Sequence, residues 1–279
     1  MFSALDERLA RFGRQLPKSW RREAERIYAR LLTLGIGELQ DPEVKAEETE
    51  ATTHLSVILP VHDAPDETNR CLGSLQGFAG KAEVIVVDDG STDPRASKAV
   101  TAFCYRNGWT AVRNEKGSYH SGACMSGAGL ATREVLCLLN SDTVVTQHSW
   151  APCVRALLEI PSLMAVGPVI SDGRWAQVDI RARRCRFNWS DAQIFWYAER
   201  LYARNAKQPT RPVHSFVGGT AFFVRRRDWN RVGGFDGCRA HIGNDVDLCR
   251  KLTSNGGWVG VCRNSYVHHL GSRSTILSS

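Results

Sequence analysis

Three polar clusters in this chain follow apolar runs, and each places a carboxylate where a buried strand would end. The run from Leu55 ends in Pro60-Val61-His62-Asp63, and the run Glu83–Val87 ends in Asp88-Asp89-Gly90-Ser91-Thr92-Asp93. The run Glu134–Leu139 ends in Asn140-Ser141-Asp142-Thr143. One aspartate after a strand is usually a turn residue or a helix N-cap, and Asp93, directly before Pro94, reads as such. Three such clusters on one edge offer oxygens to a hard divalent cation and the phosphates it would orient. Asp142 reads as the metal ligand. A diphosphate leaving group gains negative charge as its bond breaks, and a cation held by carboxylate oxygen offsets that charge. Asp88 and Asp89 cannot both approach a diphosphate without a cation between them, but one can accept hydrogen bonds from a base N–H or ribose hydroxyls.

The second half adds a carboxylate pair and a histidine pair. Asp245 and Asp247 open a helical segment running to about Leu252, where negative charge is favoured at the N-terminus. Two residues apart on a helix they point to different faces, so one can cap while the other faces a cleft and takes a proton from a hydroxyl. His268 and His269 are adjacent in an extended segment and face opposite ways, so one of the two can be a ligand. Other groups read as structural. Arg181, Arg183, Arg184 and Arg186 suit a solvated basic loop, Trp189, Phe195, Trp196 and Tyr197 suit core packing, and Arg225–Arg227 suit a strand end.

The elements that must position these residues follow from apolar patterning. Leu55–Pro60, Glu83–Val87, Thr110–Arg113, Glu134–Leu139, Leu163–Ile170 and Phe216–Val224 read as strands. Helical segments fall between the early ones, around Thr68–Gln76, Arg95–Arg106 and Ser121–Ala131. Apolar strands alternating with helices predict an α/β domain over residues 55–279, with a mostly parallel sheet covered on both faces. Ligands of such sheets sit beyond the carboxyl ends of the strands, where the polar clusters stand. Ahead of it, residues 1–37 read as a helical extension. Leu5, Leu9, Phe12 and Leu16 recur at helical spacing, as do Trp20, Ala24, Ile27 and Leu31. Residues 1–36 would pack on a partner domain or lie on an anionic membrane surface. Residues 38–54, acidic and aperiodic, read as a linker.

The whole chain sets bounds on function. Its 279 residues can bury a sizeable core, and 43% hydrophobic with 23% charged residues is a globular balance. A net charge of +7 suits anionic partners. The nine cysteines are odd in number and show no C-x-x-C spacing, which counts against both a zinc finger and a secreted disulfide framework. They suit a reducing cytosol. There is no secretory apolar region at the N-terminus and no ~20-residue apolar run to span a bilayer, so the reading is a cytoplasmic protein, soluble or peripheral at the inner face of the membrane. A dehydrogenase would need G-x-G-x-x-G after its first strand, where Pro-Val-His-Asp stands, and no motif docks nucleic acid.

Taken in order, Leu55-Ser-Val-Ile-Leu-Pro-Val-His-Asp, Val84-Ile-Val-Val-Asp-Asp-Gly-Ser-Thr-Asp and Leu138-Leu-Asn-Ser-Asp-Thr resemble the GT-A domain of family 2 glycosyltransferases, in its rhamnosyltransferase-like branch. Phe216-Val-Gly-Gly-Thr-Ala-Phe-Phe-Val, Val232-Gly-Gly-Phe-Asp, Gly243-Asn-Asp-Val-Asp-Leu and Val267-His-His are similar to the family's later segments. The resemblance implies a Rossmann-like GT-A fold and an inverting, non-processive transfer of a sugar from a nucleotide-diphosphate donor, UDP- or dTDP-linked, with Mn²⁺ or Mg²⁺. It implies a glycan or lipid-linked acceptor, as in cell-surface polysaccharide or glycoconjugate synthesis. It places Pro60, Val61, His62, Asp88 and Asp89 at the nucleotide, Ser141 at the diphosphate, Asp142 and His268 at the metal, and Asp245 as general base. Gly218, Gly219 and Asn244 fall on the sugar and acceptor side. The chain departs from the family pattern with Asn140 in place of a frequent Asp, Asn244 in place of a frequent Glu, and His62 in place of an aromatic. Those departures keep a second reading in view, a catalytically degenerate nucleotide-sugar or glycan-binding module on the same fold.

Overall fold

The apolar run Leu-Ser-Val-Ile-Leu-Pro-Val forms strand β1 (Leu55–Val61), and all seven residues are buried. Alternate side chains of a strand face opposite sides. Val57, Leu59 and Val61 accordingly join one core cluster and Ile58 the other. A strand covered on both faces needs no polar positions, which is why its sequence shows no alternation.

The computed structural model describes residues 42–171, 177, 189–208, 210–213, 216–236 and 243–271. The helices expected within residues 1–37, and Arg181, Arg183, Arg184 and Arg186, lie outside these residues. The first core cluster packs β1 under α2 (Pro65–Phe78), α3 (Pro94–Asn107) and α5 (Ala151–Glu159), through Cys71, Leu72, Leu75, Val100, Val154 and Leu157. The second packs α4 (Tyr119–Leu130), α6 (Asp191–Asn205), α7 (Arg226–Val232) and α8 (Asn244–Thr253) on the opposite face, through Cys124, Ile194, Leu201, Trp229, Leu248 and Leu252. Asp93 caps α3, accepting the Arg95 N–H at 2.9 Å. Ser190 and Gln193 form a capping box on α6. The described cysteines are buried thiols in these cores.

One sheet runs β3 (Thr110–Arg113), β2 (Glu83–Asp88), β1, β4 (Val135–Leu139), β8 (Ala221–Arg225), β6 (Leu163–Ile170), β9 (Trp258–His269), β5 (Thr143–Val145), with β7 (Arg211–Val213) beside β9. The strands β2, β3 and β4 extend β1 in parallel, as the alternation of strands and helices predicts. Beyond β4 the sheet is mixed. Strand β8 is antiparallel to β4 and to β6, β6 is parallel to β9, and β5 is antiparallel to β9. The strand expected over Phe216–Val224 starts only at Ala221, because the Gly218 and Gly219 N–H groups bond side chains instead of a ladder.

Two structural readings are corrected. The linker assigned to residues 38–54 contains a helix, α1 (Pro42–Thr53). Glu, Ala and Lys are strong helix formers and Pro42 suits a first turn, while the lack of an apolar stripe hid the helix from a periodicity argument. It docks on α5, where Glu48 accepts the Ala151 N–H at 3.1 Å and Glu47 pairs with Arg155 at 3.1 Å. Arg225 does not decorate a strand end. It is buried and donates to the carbonyls of Leu157, Ile160 and Leu163 and to Asp228, closing the C-terminal end of α5.

Candidate active site

Strands β1 and β2 end side by side, with Pro60 paired to Val87 and Val61 to Asp88. The chain must turn sharply there, and Asp63 and Ala64 take positive φ values of 52° and 48°. Such backbone is costly for residues with a Cβ and persists where bonds hold it. The Asp63 carboxylate supplies them, accepting the Thr92 and Asp93 N–H groups, both at 2.7 Å. His62, half-exposed beside this turn, places Nδ1 2.9 Å from the Asp89 carbonyl oxygen.

Asp88 and Asp89 are both engaged by the chain itself. Asp88 accepts from Ser91 N at 2.9 Å, from Ser97 Oγ at 2.6 Å and from the Arg113 guanidinium. Burial would raise its carboxyl, but the Ser97 and Ser91 bonds and the charge of Arg113 outweigh that and hold it below the usual range. Asp89 accepts from Asn114 Nδ2 at 2.6 Å, from Ser118 Oγ at 2.7 Å and from Ser118 N at 2.9 Å. This cradle gathers the loop after β3 onto the end of β2. The loop comes so close that a Cβ on Gly90, at φ 69°, would stand 2.8 Å from the Gly117 nitrogen.

The turn from β4 to β5 carries Asn140, Ser141 and Asp142. Asp142 is 2% exposed, and neither carboxylate oxygen has an aligned hydrogen-bond donor among the described residues. A buried carboxylate without donors is costly unless a cation compensates it. The imidazole Nε2 of His269 stands 3.3 Å from Oδ1. Burial would raise the Asp142 carboxyl, and the adjacent His269 reverses this, holding it below its ordinary value. Pairing of Thr143 with His269, and the Leu270 N–H on the Asp142 carbonyl at 2.8 Å, bring the two residues together.

The histidine beside Asp142 is therefore His269 and not His268, which the family resemblance implied. His268 projects from the other face of β9, fully buried, with Nδ1 2.8 Å from the Tyr266 hydroxyl and its ring stacked on Trp189. Alternation along an extended strand makes the two positions exclusive.

The second pair of carboxylates stands on α8. Asp245 Oδ2 accepts the Gly219 N–H at 3.1 Å, while Asp247 turns away to Arg250 at 3.3 Å, so the two carboxylates divide as their helical spacing requires. The carbonyl of Thr220, next in chain, accepts the Asn140 N–H at 3.0 Å, which joins the Gly218–Gly219 segment to the turn that carries Asp142. The Oδ1 of Asn244 is buried with no hydrogen-bond partner among the described residues. Gly218 donates its N–H to Gln177 Oε1 at 2.5 Å.

Sequence reasoning missed Asn114, Ser118, His120 and Gln177. His120 stands at the centre of the site, within electrostatic reach of Asp142, Asp245 and Asp89. The strand-end rule points to the loop after β3 as well, but that loop holds no cluster of carboxylates to attract notice.

A sheet parallel in its first half and mixed beyond, covered by helices, with acidic turns at the strand ends, defines a GT-A glycosyltransferase domain. Residues 56–232 match Glycosyl transferase family 2, and the chain belongs to that family. Among curated proteins it is similar to the inactive polypeptide N-acetylgalactosaminyltransferase-like protein 5 of Macaca fascicularis, 27% identical over 201 residues, or 69% of this chain and 45% of that protein. Among solved structures it is similar to GalNAc-T7 with UDP, GalNAc and Mn²⁺, with TM-score 0.58 and 18% identity over 77% of this chain and 42% of that one. It is similar also to the mannosyltransferase PcManGT of Pyrobaculum calidifontis with GDP-Man and Mn²⁺, with TM-score 0.57 and 17% identity over 89% of this chain and 69% of that one. The chain thus spans under half the length of the curated relative. No helix among the described residues is long and apolar enough to cross a membrane.

Proposed function

We propose that the chain is an inverting, divalent-metal-dependent glycosyltransferase that moves a hexosyl or deoxyhexosyl group from a UDP- or dTDP-sugar to an acceptor hydroxyl. The acceptor would be a glycan or lipid-linked glycan on the cytoplasmic side of a membrane. The observation that carries this reading is the buried Asp142 carboxylate, without aligned donors among the described residues, facing His269 at a strand edge. Carboxylate oxygen and imidazole nitrogen suit Mn²⁺. No group of three His, Cys, Asp or Glu residues gathers among the described residues, so Asp142 and His269 would be the protein's ligands and diphosphate and water oxygens the rest. Bound there, the cation would supply charge stabilisation for the departing diphosphate.

The chain's own residues do the remainder. His62 and the β1 and β2 ends would receive the nucleoside, with Asp89 acting by holding the 114–118 loop that walls the pocket. Ser141 flanks the diphosphate position. Asp245, fixed by the Gly219 N–H, would accept the acceptor's proton through its carboxylate, with Asn244 beside it for acceptor hydroxyls. One direct displacement with a single base inverts the anomeric carbon.

The test is a thermal-shift screen of UDP, dTDP and GDP with and without Mn²⁺, followed by transfer assays with the donor it identifies. Metal-dependent stabilisation that disappears in Asp142→Ala supports the donor site, and Asp245→Asn should then keep donor binding while losing transfer by 10²-fold or more, roughly the share general-base catalysis provides. Asn140 in the metal turn favours a second reading, a binding module without turnover. Metal-dependent binding by wild type with no transfer or donor hydrolysis would select it, and no response to any diphosphate would sink the transferase reading and leave the glycan-binding form of the module.

A further inference from the structure

His120 and Asn140 form a contact that neither strand-end chemistry nor general-base chemistry uses. Tyr119, with a positive φ of 61°, starts α4, and His120 follows it with Nε2 3.1 Å from Asn140 Oδ1. An amide oxygen only accepts, so Nε2 carries the proton. The Cys124 sulfur packs against the ring, 3.8 Å from both nitrogens. The bond to Asn140 therefore sets the proton on Nε2, with Cys124 beside the ring. Burial also depresses its pKa, which favours the neutral form.

Asn140 is otherwise anchored through its main chain. Its N–H bonds the Thr220 carbonyl, and its carbonyl accepts the Thr143 hydroxyl at 2.7 Å. Side-chain rotation is its remaining freedom, and the His120 bond removes it. With Oδ1 committed to His120, the Nδ2 hydrogens point elsewhere, and no described residue accepts them. They stand two residues before Asp142 on the turn where the diphosphate would lie.

We propose that His120 is a positioning residue that orients the Asn140 amide as a hydrogen-bond donor to a nucleoside diphosphate. This rests on the donor-site reading above. An amide here, in place of a carboxylate, removes one negative charge that would repel the phosphates and adds a donor that meets them.

Titration calorimetry on the full chain with Mn²⁺ tests this, using UDP, dTDP and GDP alongside uridine, thymidine and guanosine as phosphate-free controls. His120→Ala should weaken the diphosphate that binds by about tenfold, the scale of one hydrogen bond to a charged group, and leave its nucleoside unchanged. His120→Gln, whose amide N–H can reach the same oxygen, should restore most of that loss. Asn140→Ala should match His120→Ala, and the double variant should be no weaker than either. Unchanged diphosphate binding in His120→Ala overturns the proposal, as does equal weakening of nucleoside and diphosphate, or additive losses in the double variant. If His120→Ala does not fold, His120→Gln and Asn140→Ala decide alone: Gln must bind within about threefold of wild type while Asn140→Ala loses about tenfold. A wild type that binds none of the three diphosphates overturns the donor-site reading as well.

Discussion

At the residue scale, adjacent histidines with different jobs give the sharpest contrast. His269 faces Asp142, whereas His268 sits against Trp189 and the Tyr266 hydroxyl. His269→Ala should weaken Mn²⁺-dependent nucleotide binding by tenfold or more, about the cost of losing an ordered metal-site group, and should also lower unliganded melting, because it strips the buried Asp142 carboxylate of its partner. His268→Ala should instead lower stability by about 2–3 kcal/mol, through lost packing on Trp189 and loss of the bond to the Tyr266 hydroxyl. Paired melting curves with and without Mn²⁺ and nucleotide separate the two, and a metal defect confined to His268→Ala would reverse the assignment. Sequence alone left this choice open, because alternation says only that the two residues diverge. Asp88 lends itself to a pH test. Its carboxyl is lowered in the folded chain, so its contribution is present above the unfolded value near ~3.9 and is lost as pH falls through the lower folded value. Asp88→Asn should cost about 2–3 kcal/mol at pH 7, the scale of a buried charge-assisted network. That deficit should narrow below pH 4 in melting curves taken across the acid range, and a gap constant with pH would refute the electrostatic account.

At the element scale, the closure of α5 depends on β8. A helix leaves its last carbonyls unmatched, and here Arg225 meets those of Leu157 and Ile160, with Leu163 just beyond, while paired to Asp228. Arg225→Met keeps the bulk but leaves the buried carbonyls of Leu157, Ile160 and Leu163 without their donor, at a cost of about 3–5 kcal/mol, while Asp228 keeps Arg231 at 3.1 Å. Arg225→Lys should recover only part of it, because an ammonium cannot reproduce the guanidinium fork. Chemical denaturation of the three proteins checks the order, and a lysine variant as stable as wild type would show that charge alone suffices. This role was illegible in sequence: Arg225–Arg227 is a basic run at the end of a strand, and only β8 lying between β4 and β6 makes its first member internal. Strands β1, β4 and β6 were legible as continuous apolar runs buried on both faces. Helix α1 was not, since its stability comes from propensity and from its contacts with α5 rather than from an apolar face.

At the scale of the whole molecule, the candidate site spans the sheet from end to end. Asp88, Asp89 and the 114–118 loop belong to the parallel half, Asp142 and His269 to the far edge, and Asp245 to a helix packed on β6 and β9. The parallel half and its strand-end carboxylates could be read in sequence because each strand is followed locally by its own polar turn. The pairings of β4 with β8 and of β5 with β9 join distant segments, so the histidine partner and the Asn140–Thr220 link became visible only in the fold. The same topology predicts how the molecule melts. Both core clusters run through the two halves, and one hydrogen-bonded sheet joins them, so the domain should unfold as a single cooperative unit. A nucleoside diphosphate with Mn²⁺ at 100 times its dissociation constant adds about 2.7 kcal/mol to that unit. For a domain of this size that is a rise in Tm of about 5–10 °C. Scanning calorimetry should therefore show one transition that moves as a whole when the ligand is added. Two transitions, with only the earlier or the later one shifted, would mean that the donor contacts one half of the sheet and that residues placed together at its edge do not act together.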